Sequence, residues 1–196
     1  MTPHQKRLLL PIAVLAFGFL ALVGTAIFIV SGGGERGHVA TVGGPFTLVD
    51  QSGARVTEAS YAGKPSLVFF GFTHCPDVCP TTLFEISEVL KRLPEGAKVS
   101  ALFVTVDPER DTPTSMKDYL SSFDPRISGL SGTREEIDAV LKAYRVYSKK
   151  VPTQNGDYTM DHTAIVYLMD KQGRFVNALN LQQPPEAAAR EVQRLL

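Results

Sequence analysis

The sequence predicts an α/β domain on a mixed, partly parallel sheet, with an extra N-terminal hairpin and a single transmembrane helix ahead of it. Three observations support this prediction. Apolar runs typical of buried strands alternate with segments of helical periodicity, the chain closes with a hairpin and a last helix, and residues 8–30 contain no charged side chain. Alternating strands and helices are the pattern of layered α/β folds.

The uncharged stretch over residues 8–30 predicts a membrane anchor. As a helix it measures about 34 Å, enough for a hydrocarbon core of about 30 Å. It exceeds the apolar region of a cleavable signal peptide, which has about 7–15 residues, so we expect it to be retained. Lys6 and Arg7 precede it, and the positive-inside rule keeps residues 1–7 in the cytoplasm. The expected location is a bacterial plasma membrane, with the rest of the chain in the oxidising periplasm.

The chain beyond the anchor divides into a tether and one domain. Residues 31–44 are rich in glycine, which is typical of a flexible tether. Residues 45–196 have the size of a single domain with its own core. The whole chain has 20 basic and 20 acidic side chains and no block of like charge. Because nucleic-acid binding requires a basic footprint, that class of partner is excluded.

The strands of the domain are predicted from apolar runs. Residues 46–49 and 56–57 flank a turn-forming segment and predict the opening hairpin. Residues 66–72 and 99–106 are near-continuous apolar runs, typical of strands buried on both faces. A shorter apolar segment, residues 127–130, predicts a further strand.

The helices are predicted from periodicity and caps. After the cysteine-bearing loop, apolar residues recur at helical spacing: Leu83, Ile86, Val89, Leu90 and Leu93. Thr112 or Thr114 is expected to cap the helix over residues 115–122. Thr133 and Glu136 form a capping box that opens the next helix.

The end of the domain predicts a hairpin and a helix. Residues 163–169 and 174–179 flank a turn, and Pro184 begins a helix that runs to the C-terminus. This order of elements is the thioredoxin-like plan with an extra hairpin in front. Ligands of open α/β sheets gather at the carboxyl ends of the parallel strands. The loop with both cysteines and Asp107 follow two such strands, and His162 precedes an antiparallel one, so these segments are expected to meet at one edge.

Cys75 and Cys79 are the only cysteines of the chain. At this spacing they can form a local disulfide, bind a soft metal or pack as buried apolar residues. If Cys75 opens the helix, the two lie one turn apart on one face, near a helix N-terminus that lowers thiol pKa. Their α-carbons then fall within the range of a disulfide.

Two thiolates and the imidazole of His162 make a soft three-ligand set. Soft sulfur selects Cu(I), with zinc as the main rival. Structural zinc sites take four protein ligands, and no second cysteine pair supplies one, although Asp107 would complete a zinc site. His74 is a rival imidazole that is expected to point away because it adjoins Cys75.

Two further groups of residues have simpler interpretations. Met116 and Met160 are expected to be packing residues rather than thioether ligands. Asp107, Arg110 and Asp111 form a charged loop that is expected to pair internally.

Three motifs together resemble the Sco/SenC family of copper-binding, thioredoxin-like assembly proteins. They are the segments at residues 70–80, 106–113 and 158–163, and they span the soluble domain. The turn after Asp170 departs from the family because it lacks the proline common there.

The resemblance implies Cys75, Cys79 and His162 as metal ligands, with copper as the cofactor, Cu(I) first and Cu(II) as a second state. It implies the copper-bearing subunit of cytochrome c oxidase, or another copper chaperone, as partner.

Two functions therefore stand open. The first is a membrane-tethered copper metallochaperone for the Cu(A) centre of cytochrome c oxidase, a binding protein rather than an enzyme. The second is a thiol–disulfide oxidoreductase in which Cys75 and Cys79 are a redox-active pair that reduces partner cysteines, with His162 dispensable. A peroxidase-like activity on the same fold is a weaker third option.

Overall fold

A computed structural model describes residues 17–25, 42–154 and 156–196. The chain divides into two compact units, Met1–Ala40 and Thr41–Leu196. In the first, residues 17–25 form helix α1, whose apolar side chains are exposed. The rest of the predicted anchor, the N-terminal tail and nearly all of the tether lie outside the described residues. Within the described ranges, no helix combines the length and apolar character needed to span a membrane.

The second unit contains nine strands, four helices and one short 3-10 helix among the residues that the structure describes. The strands are β1 (Thr47–Asp50), β2 (Arg55–Thr57), β3 (Ser66–Gly71), β4 (Ser100–Thr105), β5 (Ile127–Ser131), β6 (Ser148–Pro152), β7 (Tyr158–His162), β8 (Val166–Met169) and β9 (Phe175–Leu179). The helices are α2 (Val78–Lys91), α3 (Pro113–Leu120), α4 (Arg134–Tyr144) and α5 (Pro185–Gln193), and the 3-10 helix is Glu58–Tyr61.

Seven strands form one mixed sheet in the order β2-β1-β5-β4-β3-β8-β9, and β6 and β7 form a separate two-stranded sheet. Strands β3, β4 and β5 are parallel. The opening hairpin β1–β2 and the closing pair β8–β9 are antiparallel, and β8 runs antiparallel to β3. The predicted mixed sheet with an extra N-terminal hairpin is therefore confirmed.

The central strands β3 and β4 are buried at every position. This explains their near-continuous apolar sequence, because a strand covered on both faces has no solvent-facing residues to keep polar. Phe69 and Phe103 stack across this pair with ring centroids 5.9 Å apart. The loops that leave the carboxyl ends of β3 and β4 thus start from the packed centre of the domain.

Two predicted caps are present. The side chain of Thr112, at the N-cap of α3, accepts a hydrogen bond from the amide of Ser115. Thr133 and Glu136 form the capping box of α4, in which each side chain accepts from the other residue's amide. Such caps satisfy amides that have no partner within the helix. Helix α5 ends at Gln193, short of the expected C-terminal end.

The hairpin β6–β7 was not predicted, and it carries His162 at its last position. Helix α2 starts at Val78, so Cys75 lies in the loop before the helix rather than opening it. Both differences concern the segments that bring the expected site residues together.

Candidate metal centre

Cys79 lies in the first turn of α2 and is fully buried, whereas Cys75 is half-buried in the preceding loop. The amide of Cys75 donates to the carbonyl of Phe72 at 3.2 Å, which turns the loop back toward the strand. The Sγ atom of Cys75 accepts a hydrogen bond from the amide of Cys79 at 3.4 Å. The expectation that both cysteines share one helical face is therefore wrong, but the sulfur of Cys75 still meets the helix because it accepts one of its unpaired amides.

His162 faces Cys79 from the hairpin. Its Nε2 atom lies 3.7 Å from the Sγ atom of Cys79, and its Nδ1 atom lies 3.1 Å from the carbonyl oxygen of Thr163. A carbonyl only accepts hydrogen bonds, so the tautomer with its proton on Nδ1 satisfies this contact and leaves the lone pair of Nε2 on the side of the thiol. The imidazole also packs edge-on against the ring of Phe72, with centroids 5.8 Å apart.

The three predicted ligands come together as one cluster. One ligand atom from each of Cys75, Cys79 and His162 lies within 4.8 Å of the other two. Metal–sulfur and metal–nitrogen bonds of about 2.3 and 2.0 Å place two ligand atoms about 3.5–3.8 Å apart. The separation of 3.7 Å between sulfur and imidazole nitrogen fits that requirement. Within residues 17–25, 42–154 and 156–196, no other group of three histidine, cysteine or acidic side chains meets this criterion.

Burial controls the protonation of Cys79. Removal of the sulfur from water raises the pKa of the Cys79 thiol well above its ordinary value, and a hydrogen bond from the backbone of Phe72 opposes this only in part. The expectation that the helix N-terminus would lower this pKa is therefore wrong, because desolvation of the thiolate outweighs the helix dipole. Burial without a metal therefore favours the protonated thiol at Cys79.

Gly71, the last residue of β3, makes room for the buried sulfur. A Cβ atom at this position would lie 2.8 Å from the Sγ atom of Cys79 and 2.6 Å from Cε2 of Phe103. Contacts this short do not occur between real side chains, so only glycine fits here without displacement of Cys79. Sequence patterns alone did not identify this role.

The rival ligands lie elsewhere. The exposed ring of His74 points to Thr73 and Asp111, with Nδ1 3.1 Å from the hydroxyl and 3.9 Å from the carboxylate. Met116 and Met160 are buried members of the core, as expected for packing residues.

Asp107 does not join the cluster either. Its Oδ1 atom accepts from the hydroxyl of Tyr158 at 3.1 Å, and its Oδ2 atom accepts from Nε of Arg110 at 2.5 Å. Asp107 contacts Tyr158 of the hairpin and Arg110 instead of the thiols. The expected internal pairing of Asp107 with Arg110 is confirmed.

Asp111 holds the cysteine loop through hydrogen bonds to Thr73. Its fully buried carboxylate accepts from the amide of Thr73 at 3.1 Å, from the Thr73 hydroxyl at 2.6 Å and from the Thr105 hydroxyl at 2.6 Å. Burial raises the pKa of Asp111, while these hydrogen bonds act in the opposite direction. Asp111 pairs with hydroxyl groups rather than with Arg110, and the contribution of Thr73 and Thr105 was not visible in the sequence.

Comparisons with known proteins agree with this architecture. The sequence model described as SCO1/SenC matches residues 34–196. "Protein SCO1 homolog 1, mitochondrial" of Arabidopsis thaliana is 42% identical over 145 residues, which cover 73% of this chain and 43% of that protein. The chain spans about half the length of the curated relatives it matches.

Two solved structures extend the likeness. Bradyrhizobium japonicum ScoI with copper bound superposes with a TM-score of 0.76 at 63% identity, covering 79% of this chain and 99% of that one. BsSco, described as a cytochrome c oxidase assembly protein with a disulfide switch, gives a TM-score of 0.63 at 25% identity, covering 80% and 94%. These likenesses confirm the predicted thioredoxin-like fold. The chain belongs to the SCO1/SenC family.

Proposed function

We propose that this chain is a copper metallochaperone that binds a copper ion through Cys75, Cys79 and His162 and delivers it for assembly of the Cu(A) centre of cytochrome c oxidase. The observation that carries the proposal is the convergence of the three ligand atoms within 4.8 Å. The copper-bound relative from Bradyrhizobium japonicum, at 63% identity, supports copper as the metal. The copper-bearing subunit of the oxidase, or another copper chaperone, is the expected partner.

The donor set favours Cu(I). Two sulfurs and one imidazole nitrogen are soft ligands, and three of them satisfy a Cu(I) ion, whereas a structural zinc site takes four protein ligands. Asp107 was the carboxylate considered as a fourth zinc ligand, and it already bonds Arg110 and Tyr158. We expect Cu(II) to bind as a second state with lower preference.

The burial of the two sulfurs suggests how the cargo leaves. Cys79 is fully buried, whereas Cys75 is half-buried. An incoming ligand from a partner reaches the metal most easily on the side of Cys75. Transfer therefore begins with replacement of Cys75, while Cys79 holds the ion until a second partner ligand arrives.

A second candidate function is thiol–disulfide exchange. The two thiols are close to each other, and the related BsSco is described as having a disulfide switch. The Cys75 thiolate would attack a partner disulfide and form a mixed disulfide, with one partner thiol released. Cys79 would then attack Cys75, form the Cys75–Cys79 disulfide and release the second partner thiol, so that two electrons pass to the partner.

The membrane attachment is part of the proposal. Residues 8–30 would anchor the chain in the bacterial plasma membrane as a single span, with residues 1–7 in the cytoplasm. Residues 31–44 would tether the periplasmic domain, residues 45–196. The uncharged stretch with Lys6 and Arg7 ahead of it supports this arrangement. Reporter fusions after residue 7 and after residue 44, active only on opposite sides of the membrane, test the orientation.

An anaerobic Cu(I) titration of the full chain in detergent, against a competing chelator, tests the proposed binding. We expect one Cu(I) per reduced chain and no tight binding after oxidation of the thiols. Cys75→Ser and Cys79→Ser should each abolish tight binding. Tight binding that persists in both serine variants would contradict the metallochaperone.

Cytochrome c oxidase activity in cells distinguishes copper delivery from thiol–disulfide exchange. A strain whose only copy carries His162→Ala should lose cytochrome c oxidase activity at limiting copper if copper delivery is the role. Retention of full activity in that strain, together with loss in Cys75→Ser, would favour thiol–disulfide exchange, which does not use the imidazole.

A further inference from the structure

The hairpin β6–β7 is the least integrated part of the sheet architecture. It pairs with no strand of the seven-stranded sheet. Cys75 and Cys79, by contrast, sit at the carboxyl end of the buried strand β3 and the start of α2. Sheet hydrogen bonds therefore do not join His162 directly to the segment with the two thiols, and side-chain contacts help to set the distance between them.

Arg110, in the loop after β4, contacts the hairpin at Tyr158. Its Cζ atom lies 3.8 Å from the ring centroid of Tyr158, the first residue of β7, and its Nη1 atom donates to the carbonyl of Tyr158 at 3.0 Å. Asp107 joins the two, because its carboxylate accepts from Nε of Arg110 and from the hydroxyl of Tyr158. Each of these three residues thus contacts the other two. We call Asp107, Arg110 and Tyr158 the clamp.

The ion pair between Asp107 and Arg110 in the clamp is shielded from solvent. The side chain of Asp107 is fully buried and that of Arg110 is 16% exposed. An ion pair removed from water is screened far less than one on the surface. Lys150 adds an outer contact, with Nζ 4.1 Å from the centroid of Tyr158 and 2.7 Å from the carboxylate of Glu109. Both of these side chains are exposed, so this outer pair contributes little.

The same arginine also touches the ring that orients the imidazole. Cζ of Arg110 lies 5.8 Å from the ring centroid of Phe72, and the ring of Phe72 packs edge-on against His162 at 5.8 Å. Along β7, Tyr158 and His162 are separated by an even number of positions, so both project from the same face of the hairpin. The clamp at the start of the strand and the ligand at its end therefore face the same neighbours.

We propose that Arg110 and Tyr158 are positioning residues: the clamp fastens the start of β7 to the loop after β4 and so keeps the imidazole of His162 within reach of the two thiols. This inference rests on the proposed function, because it concerns the third ligand of the proposed copper site. Without the clamp, the hairpin carries His162 away from the sulfurs, and copper is held by the two cysteines alone.

The affinity for Cu(I) reports directly on whether the clamp keeps His162 in place as a ligand. Substitution of residues that hold a metal ligand in place typically costs about 10–100-fold in affinity. We expect Tyr158→Leu to weaken Cu(I) binding of the full chain by that factor in a chelator competition. Tyr147→Leu is the matched control, because Tyr147 is an exposed tyrosine just ahead of the same hairpin and outside the clamp. It should change the affinity less than twofold. Tyr158→Phe keeps the ring against Arg110 and should restore most of the affinity.

The same substitution in a chain that lacks His162 distinguishes the positioning of this ligand from general damage to the fold. In a chain that already carries His162→Ala, Tyr158→Leu should cause no further loss, because the ligand on which the clamp acts is gone. X-ray absorption of the Cu(I)-loaded Tyr158→Leu chain should show two sulfur ligands and a lost imidazole contribution. Equal losses in both backgrounds, or an intact imidazole signal, would overturn the clamp.

The outcomes also separate this inference from the proposed function. If His162→Ala weakens Cu(I) binding but Tyr158→Leu does not, the clamp is wrong and the three-ligand site stands. If His162→Ala itself leaves the affinity unchanged, the three-ligand site and the clamp are both overturned. Arg110→Lys provides an independent variant, since it keeps the charge but not the geometry of the guanidinium, and it should lose affinity only when His162 is present.

Discussion

The Nε2 atom of His162 lies 3.7 Å from the Sγ atom of Cys79, although the two residues are 83 positions apart in the chain. One sits at the end of a hairpin outside the main sheet, and the other in the first turn of a helix that follows a central strand. The proposed copper ligands are thus assembled by tertiary structure from two separately held elements. This arrangement makes the site sensitive to small changes on either side.

On the side of the thiols, Gly71→Ala should disturb the site through Cys79. The added Cβ atom would lie 2.8 Å from the sulfur and 2.6 Å from Phe103, and overpacking of this kind costs about 1–3 kcal/mol. We expect a lower free energy of unfolding in urea and a weaker Cu(I) affinity. Gly44→Ala is the control, because its Cβ atom would lie at an ordinary 3.4 Å from Ala143. Unchanged stability of Gly71→Ala would contradict the tight packing around the sulfur.

Protonation of Cys79 should couple copper binding to pH. Burial raises the pKa of this thiol, so the metal must displace a proton to bind the thiolate. The apparent Cu(I) affinity should therefore rise with pH through the neutral range, by about tenfold per pH unit for each proton released. Competition titrations at several pH values, corrected for protonation of the competitor, measure this slope. A flat profile would show that Cys79 is already a thiolate in the metal-free protein.

Asp111 should leave a signature in the pH dependence of stability. Burial raises its pKa in the folded protein, so the folded state holds this proton more tightly than the unfolded chain does. Its contribution is fully present below the unfolded pKa of about 3.8 and is lost as the pH rises through the higher folded value.

The variant Asp111→Asn removes this titration. The stability of the wild type relative to the variant should decline as the pH rises from about 4, as measured by urea unfolding of the metal-free, reduced protein. At every pH the variant also loses acceptor capacity for the Thr73 amide and hydroxyl, which costs about 1–3 kcal/mol. Parallel pH profiles for the two proteins would contradict the raised pKa.

Much of the fold was predictable because its signals are local. Strands β3 and β4 are buried on both faces and therefore read as apolar runs. The capping box of α4 needs only Thr133 and Glu136. The rule that ligands gather at the carboxyl ends of parallel strands was enough to predict that His162 lies near the cysteine loop.

The parts that sequence patterns missed depend on tertiary contacts. Strand β6 contains two lysines and a proline and shows no apolar alternation, and the contact of Arg110 with the hairpin at Tyr158 joins residues that are far apart in the sequence. The position of Cys75 outside α2 reflects a hydrogen bond from the Cys79 amide to its sulfur, which no propensity encodes. The sign of the pKa shift at Cys79 required knowledge of its burial, which outweighs the helix terminus.

The most direct test of the proposed three-ligand copper site compares the two histidines near the thiols. His74 is adjacent to Cys75 in sequence but faces Thr73 and Asp111, whereas His162 faces Cys79. In an anaerobic Cu(I) competition titration, His162→Ala should weaken binding at least tenfold, about 1.4 kcal/mol or more, while His74→Ala should leave it unchanged. Equal affinities for the two variants, or a loss confined to His74→Ala, would contradict the site.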